Sequence, residues 1–154
     1  PSSITGPEVA EYVTRKKAKA YIDELEDHDV LITGDTVVLC DGQVLGKPKS
    51  AAEAKAMLQQ LNGKTHTVAS GVAVTTKASG INSAVDTCQV TFAALDDALM
   101  DHYIEQYQPF DKAGAYGVQD LIGFAGVVSL NGSYFTVMGL PTHLLFHLLN
   151  NLKS

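Results

Sequence analysis

Two β-rich runs meet at Asp41-Gly42 inside the stretch LITGDTVVLCDGQVLGKPK, residues 31–49. Asp-Gly is the dipeptide of tight hairpin turns, because both positions accept positive φ. The stretch therefore folds as two neighbouring antiparallel strands. THTVASGVAVTT and SAVDTCQVTFAAL flank a turn expected over residues 77–82, and FAGVVSL and SYFTVM flank Asn131-Gly132, which predicts a further hairpin. Strands joined directly by hairpins exclude a purely parallel, doubly wound sheet.

Helical segments separate these strands. In TGPE, residues 5–8, Thr5 is placed to cap, Pro7 falls in the first turn and Glu8 completes a capping box. The helix it opens is expected to reach about Leu25 and to bury Val9, Val13 and Ala20. SAAE, residues 50–53, is a second capping box, and its helix should stop near Asn62-Gly63. Asp96 caps a helix with Leu99, Met100, Tyr103, Ile104 and Tyr107 on one face. Pro141 opens a last helix with Leu145, Leu148, Leu149 and Leu152 inward. The predicted fold class is α/β, a mixed sheet with hairpins and packed helices, in one domain over residues 1–154.

Composition narrows the function. Hydrophobic residues make up 45% of the 154, enough for a core without disulfides. Eleven basic against 17 acidic side chains give a net charge of −6, which argues against general nucleic-acid binding. A small anionic ligand stays compatible, since a few lysines make a local positive pocket. Cys40 and Cys88 form no CxxC pair and are expected as reduced thiols. No apolar run approaches the ~20 residues of a membrane span. The expectation is a cytoplasmic protein with no membrane partner and no signal peptide, although the chain opens on Pro1 rather than Met.

The hairpin carries two charges that a plain strand pair does not need. A two-residue turn at 41–42 pairs Thr36 with Lys47 and sends Asp35 to the opposite face. A three-residue loop at 40–42 with a bulge pairs Asp35 with Lys47. A site that uses both charges requires the bulged register, which is the expectation here. A surface ion pair is the plain alternative and contributes only ~0–1 kcal/mol. Lys47 and Lys49 precede the Ser50-capped helix, and a helix N-terminus beside two ammonium groups suits phosphate. Upstream, TRKKAKAY carries four cations, and periodicity does not choose between Lys16 and Lys17. The loop FDKAGAYGVQD supplies the Asp111–Lys112 pair, Tyr116 for stacking and Gln119 for reading an amide edge, without matching a P-loop or GxGxxG. His143 and His147 are read as a solvated helix face, and His66 as facing solvent.

Taken together, GDTVVLCDGQVLGKPKSAAEAKAMLQQLNGKTHTVASGVAV resembles the central signature of the Maf nucleotide pyrophosphatases. PFDKAGAYGVQD resembles their second signature, GSYFTVMGLP their third, and RKKAKAY the family's helix ending in Lys-Ala. The resemblance covers nearly the whole chain. It implies a two-lobed α/β architecture with a central cleft, as in inosine triphosphatase-like folds, and a homodimer. It implies hydrolysis of a nucleoside triphosphate to the monophosphate and pyrophosphate with a divalent cation, Mg2+ or Mn2+. By motif, Asp35 is the proton acceptor and metal-site carboxylate, Lys17 and Lys47 face the phosphates, and Thr36 and Gln119 tune substrate choice. A carboxylate among cations serves better to hold metal and orient water than to abstract a proton.

Gln119 is similar to the branch acting on dTTP and UTP; the branch acting on methylated GTP carries Glu there. Two departures stand out. Asp120 replaces a glycine common after this glutamine. The family's opening strand and Ser/Arg motif have no counterpart in this sequence, so the domain is expected to lack that strand and phosphate-binding segment. If the motif is truly missing, a non-catalytic nucleotide-binding or interaction module is the alternative.

Overall fold

The computed structural model describes residues 3–152. Helix α1 spans Glu8–Tyr21 and passes into a 3-10 turn at Ile22–Glu24. Strands β1 (Leu31–Cys40) and β2 (Gln43–Leu45) form the first hairpin, and α2 (Ala51–Leu61) follows. The long hairpin β3 (Thr65–Thr76) and β4 (Gly80–Phe92) leads to α3 (Asp97–Tyr107). A 3-10 turn at Ala113–Ala115 precedes α4 (Leu121–Gly126), β5 (Val127–Asn131), α5 (Tyr134–Met138) and α6 (Thr142–Asn151). The five strands lie in the order β2-β1-β3-β4-β5, and every neighbouring pair is antiparallel. Hairpin chemistry thus sets the sheet, as the turn signals require.

Strand alternation splits the apolar residues between two faces. Val38, Cys40, Val68, Val90 and Phe92 face one side, where Leu58 and Leu61 of α2 and Met100, Tyr103 and Ile104 of α3 complete the main core. Val37 and Ala69 face the other, against Ala10 of α1. Helix α1 lies very close to β3 there. A Cβ added at Gly71 would sit 2.6 Å from Thr14 Oγ1 and 2.8 Å from the Ala10 carbonyl.

That close approach corrects the expected stripe of α1. Its buried residues are Ala10, Thr14 and Ala18, small side chains at i, i+4 and i+8. Val9 and Val13 are only partly buried and Ala20 is exposed. A stripe of valines would hold the helix too far from Gly71. The capping box at TGPE is not formed either: Pro7 is the N-cap and no side chain caps. The boxes at Ser50 and Asp96 behave as expected, with the Ser50 hydroxyl accepting from the Glu53 N–H at 3.1 Å and the Asp96 carboxylate from the Leu99 N–H at 2.8 Å.

Two further expectations change. The segment after Asn131-Gly132 is helix α5, not the second arm of a hairpin. Gly139 ends it with φ +122°, donating its N–H to the carbonyls of Phe135 and Thr136. This glycine and Pro141 form a helix-stop pattern that overrides the β-rich composition of SYFTVM. In α6, Leu145, Leu148, Leu149 and Leu152 do share the inner face but are only partly buried.

Candidate active site

The hairpin adopts the unbulged register. Val38 pairs with Leu45, Leu39 with Val44 and Cys40 with Gln43. Asp41 and Gly42 both have positive φ, 51° and 75°, as a two-residue turn requires. The expected Asp35–Lys47 pairing is therefore wrong. The turn closes as tightly as its dipeptide allows, and β2 ends at Leu45, before Lys47. Among the described residues β1 then has no partner on that edge before Val38.

The open edge becomes the floor of a cleft of about 390 Å³, within the range of small-molecule sites. Lys17, Asp35, Thr36, Lys47 and Gln119, each singled out from the sequence, all line it. Asp35 and Lys47 thus share a cleft without sharing a ladder rung. Lys49 and the N-terminus of α2 lie outside this lining. Pro48 is buried while Lys47 and Lys49 on either side of it are exposed, and only Lys47 reaches the cleft.

Lys17 is the cation that meets Asp35. Its Nζ donates to Asp35 Oδ1 and to the Gly34 carbonyl, both at 2.9 Å. The register of α1 on Gly71 selects Lys17: with Thr14 and Ala18 facing the sheet, Lys17 falls beside β1. Asp35 Oδ2 accepts no hydrogen bond among the described residues. Thr36, one residue on, points to the other face. Its hydroxyl lies 2.8 Å from Ser70 Oγ and 3.3 Å from the Gly139 carbonyl.

Residues 111–119 build the second wall. Although irregular, the segment is packed: Gly114, Ala115, Tyr116 and Val118 are buried. Gly114 has φ +68°, and a Cβ there would lie 2.9 Å from Val38 Cγ2. Its N–H donates to the Gly46 carbonyl at 3.1 Å, tying this wall to the segment that carries Lys47. Asp120 caps α4, accepting from the Ile122 N–H; it also accepts from the Gly117 N–H at 3.0 Å and the Tyr103 hydroxyl at 2.7 Å. The departure from glycine at 120 thus stiffens the wall. Gln119 is exposed at the cleft, and its amide has no hydrogen-bond partner among the described residues.

Sequence reasoning missed Val137 and Met138, which line the cleft from the segment expected as a strand. Lys112, half of the charge pair read in the loop, lines the cleft and adds a third ammonium, 3.4 Å from Asp111. Three lysines against two aspartates make the cleft locally positive on a chain of net charge −6. His66 is not at the surface but only 2% exposed, and its Nε2 lies 2.6 Å from the Tyr116 hydroxyl. Burial lowers its pKa to about 4, and burial raises that of the Tyr116 phenol. Strand parity was the available signal, since His66 shares its face with Val68 and Ser70. His143 lies 3.7 Å from Asp86, while His147 is exposed.

An antiparallel sheet flanked by helices, with a lysine-rich cleft beside β1, is an arrangement suited to a small anionic ligand. The chain belongs to the Maf family: the model of the Maf-like protein family matches residues 2–152. It is 45% identical over 152 residues to a dTTP/UTP pyrophosphatase of Bacteroides fragilis, covering 99% of this chain and 78% of that protein. It is 44% identical to one of Phocaeicola vulgatus, covering 95% and 75% of the two chains. A third, from Porphyromonas gingivalis, is 43% identical over 100% of this chain and 76% of its own length.

Proposed function

We propose that the protein is a nucleoside triphosphate pyrophosphatase that hydrolyses dTTP and UTP to the monophosphate and pyrophosphate, removing unwanted nucleotides from the pool. The observation that carries this reading is the convergence of Asp35, Lys17, Lys47 and Lys112 on one cleft, in a chain whose relatives are named dTTP/UTP pyrophosphatases.

The donor set fits Mg2+ or Mn2+ held partly by substrate. Among the described residues no three His, Cys, Asp or Glu side chains converge, so there is no all-protein cage. Mg2+ is commonly held by one or two carboxylates plus phosphate oxygens. Asp35 would hold the ion through its unbonded Oδ2, with Asp111 the other carboxylate of the cleft. When bound, the ion supplies charge neutralisation on the triphosphate and a more acidic water.

The chain's own groups divide the remaining work. Lys17 fixes the Asp35 carboxylate by its bonds to Oδ1 and the Gly34 carbonyl. Asp35 orients the attacking water toward the α-phosphorus and accepts a hydrogen bond from it. A water O–Pα bond forms as the bond from Pα to the α–β bridging oxygen breaks, pyrophosphate leaves, and the water's proton passes by way of the Asp35 carboxylate to solvent. Lys47 and Lys112 stabilise charge on the departing group. Gln119 both donates and accepts, which matches the edge of a uracil or thymine ring. The reading includes a homodimer acting in the cytoplasm, tested by light scattering of the purified protein and by localisation of the tagged native protein.

The deciding experiment is a nucleotide panel with Mg2+ or Mn2+, assaying pyrophosphate and orthophosphate separately. Pyrophosphate from dTTP and UTP is expected. Orthophosphate would reject attack at the α-phosphorus. Faster cleavage of 7-methyl-GTP would move the protein to the other branch. Binding without cleavage would favour an interaction module.

A further inference from the structure

Helix α5 forms one wall of the cleft through Val137, Met138 and Gly139. It has five residues, far too few to be stable alone. Apolar burial holds it only lightly: Val137 packs partly buried against the core and Thr136 is fully buried, while Phe135 is 53% and Met138 46% exposed. What fastens it is a polar row across the sheet. Thr36 pairs with Ser70, and Ser70 with Asp86, as directly opposed residues of β1, β3 and β4. Thr136 inserts into this row from above. Its hydroxyl donates to Asp86 Oδ2 at 2.6 Å, and its carbonyl accepts from the Ser70 hydroxyl at 2.8 Å.

Proton counting gives the chain a direction. Each hydroxyl has one proton. That of Ser70 goes to the Thr136 carbonyl, so Thr36 donates in its 2.8 Å contact with Ser70 and shares that proton with the Gly139 carbonyl 3.3 Å away. The cleft residue Thr36 is thereby linked through Ser70 to the same helix that Asp86 anchors from the other end. Ser70 and Thr136 are fully buried, so a broken link is not readily replaced by water.

We propose that Asp86, acting through Thr136, is a positioning residue for substrate binding: with Ser70 it seats α5 on the sheet and so sets the width of the nucleotide cleft. This rests on the nucleotide pyrophosphatase reading. Asp86 itself is not among the residues lining the cleft. The wall it holds is contacted by whatever fills the cleft, so its loss acts on binding ahead of the chemical step.

The test compares Thr136→Val, which keeps the shape and removes the donor, with Thr136→Ser, which keeps the donor. Thr136→Val should raise KM for UTP about ten-fold, more than it lowers kcat, whereas Thr136→Ser stays near wild type. Asp86→Ala, changed on the sheet and not on the helix, should reproduce the Thr136→Val pattern and serves if that variant folds poorly. Without nucleotide, amide exchange over residues 134–140 should quicken about ten-fold in Thr136→Val and Asp86→Ala, with α2 and α3 unchanged. Unchanged exchange in that segment, or faster exchange with an unchanged KM, overturns the proposal while leaving the pyrophosphatase reading intact. A wild-type chain that neither binds nor hydrolyses UTP sinks that reading and the proposal with it.

Discussion

The two walls of the cleft are built by opposite means. Residues 111–119 are set into the core: Tyr116 packs edge-on against Phe92 and His66, and Gly114 abuts Val38. Helix α5 rests on the sheet by hydrogen bonds, with most of its side chains exposed. The first wall is sensitive to volume, the second to the loss of single polar atoms. A site of this kind has one rigid side and one adjustable side, each open to a different kind of change.

The largest effect should come from the floor between the walls. Asp35→Asn should cut kcat about a thousand-fold, or about 4 kcal/mol of barrier, with the fold intact by circular dichroism. Near-normal pyrophosphate release by this variant would remove both roles assigned to Asp35. Chelation of divalent cations should abolish turnover equally, with recovery on adding Mg2+ or Mn2+.

Next comes the packed wall, through His66. Its folded pKa of about 4 lies below its ordinary 6.5 because burial disfavours the charged ring. The unfolded chain therefore takes up the proton first as pH falls. The contribution is fully present above pH 6.5 and is lost progressively as pH drops toward 4, by about 3 kcal/mol in all. Urea unfolding of wild type and His66→Phe across this window should show a smaller pH slope in the variant. Equal slopes would place the pH dependence elsewhere.

Gly114→Ala should destabilise by about 2 kcal/mol, combining the clash with Val38 and a positive φ. A shift in the urea midpoint reads this directly. The smallest effect belongs to the hydrogen-bonded wall: Ser70→Ala should cost about 1 kcal/mol of global stability, with a larger proportional change in KM for UTP. A stability loss exceeding that of Gly114→Ala would erase the contrast between the walls.

Much of the fold was legible because it rests on local rules. Asp41-Gly42 announced the first hairpin, and Ser50 and Asp96 announced two helices. The misreadings arose where a distant partner decided. Val9 and Val13 looked like the core face of α1 until Gly71 admitted a closer stripe of small residues. SYFTVM looked like a strand because its composition is β-rich, yet Gly139 and Pro141 marked a helix end. His66 sits in a strand whose period places it inward, but nothing local identifies Tyr116 as its partner fifty residues on.

The sequence alone determined the turn chemistry, the strand period and three ordered motifs, and with them the family and the residues that meet in the cleft. These are properties of neighbours along the chain, set by backbone preference and side-chain alternation. Tertiary structure decided how the residues meet. The tight turn left Asp35 and Lys47 off a shared rung, close packing of α1 brought Lys17 to Asp35, and the row Thr36–Ser70–Asp86 seated α5. Such pairings depend on register and approach distance across the sheet, which no local pattern encodes.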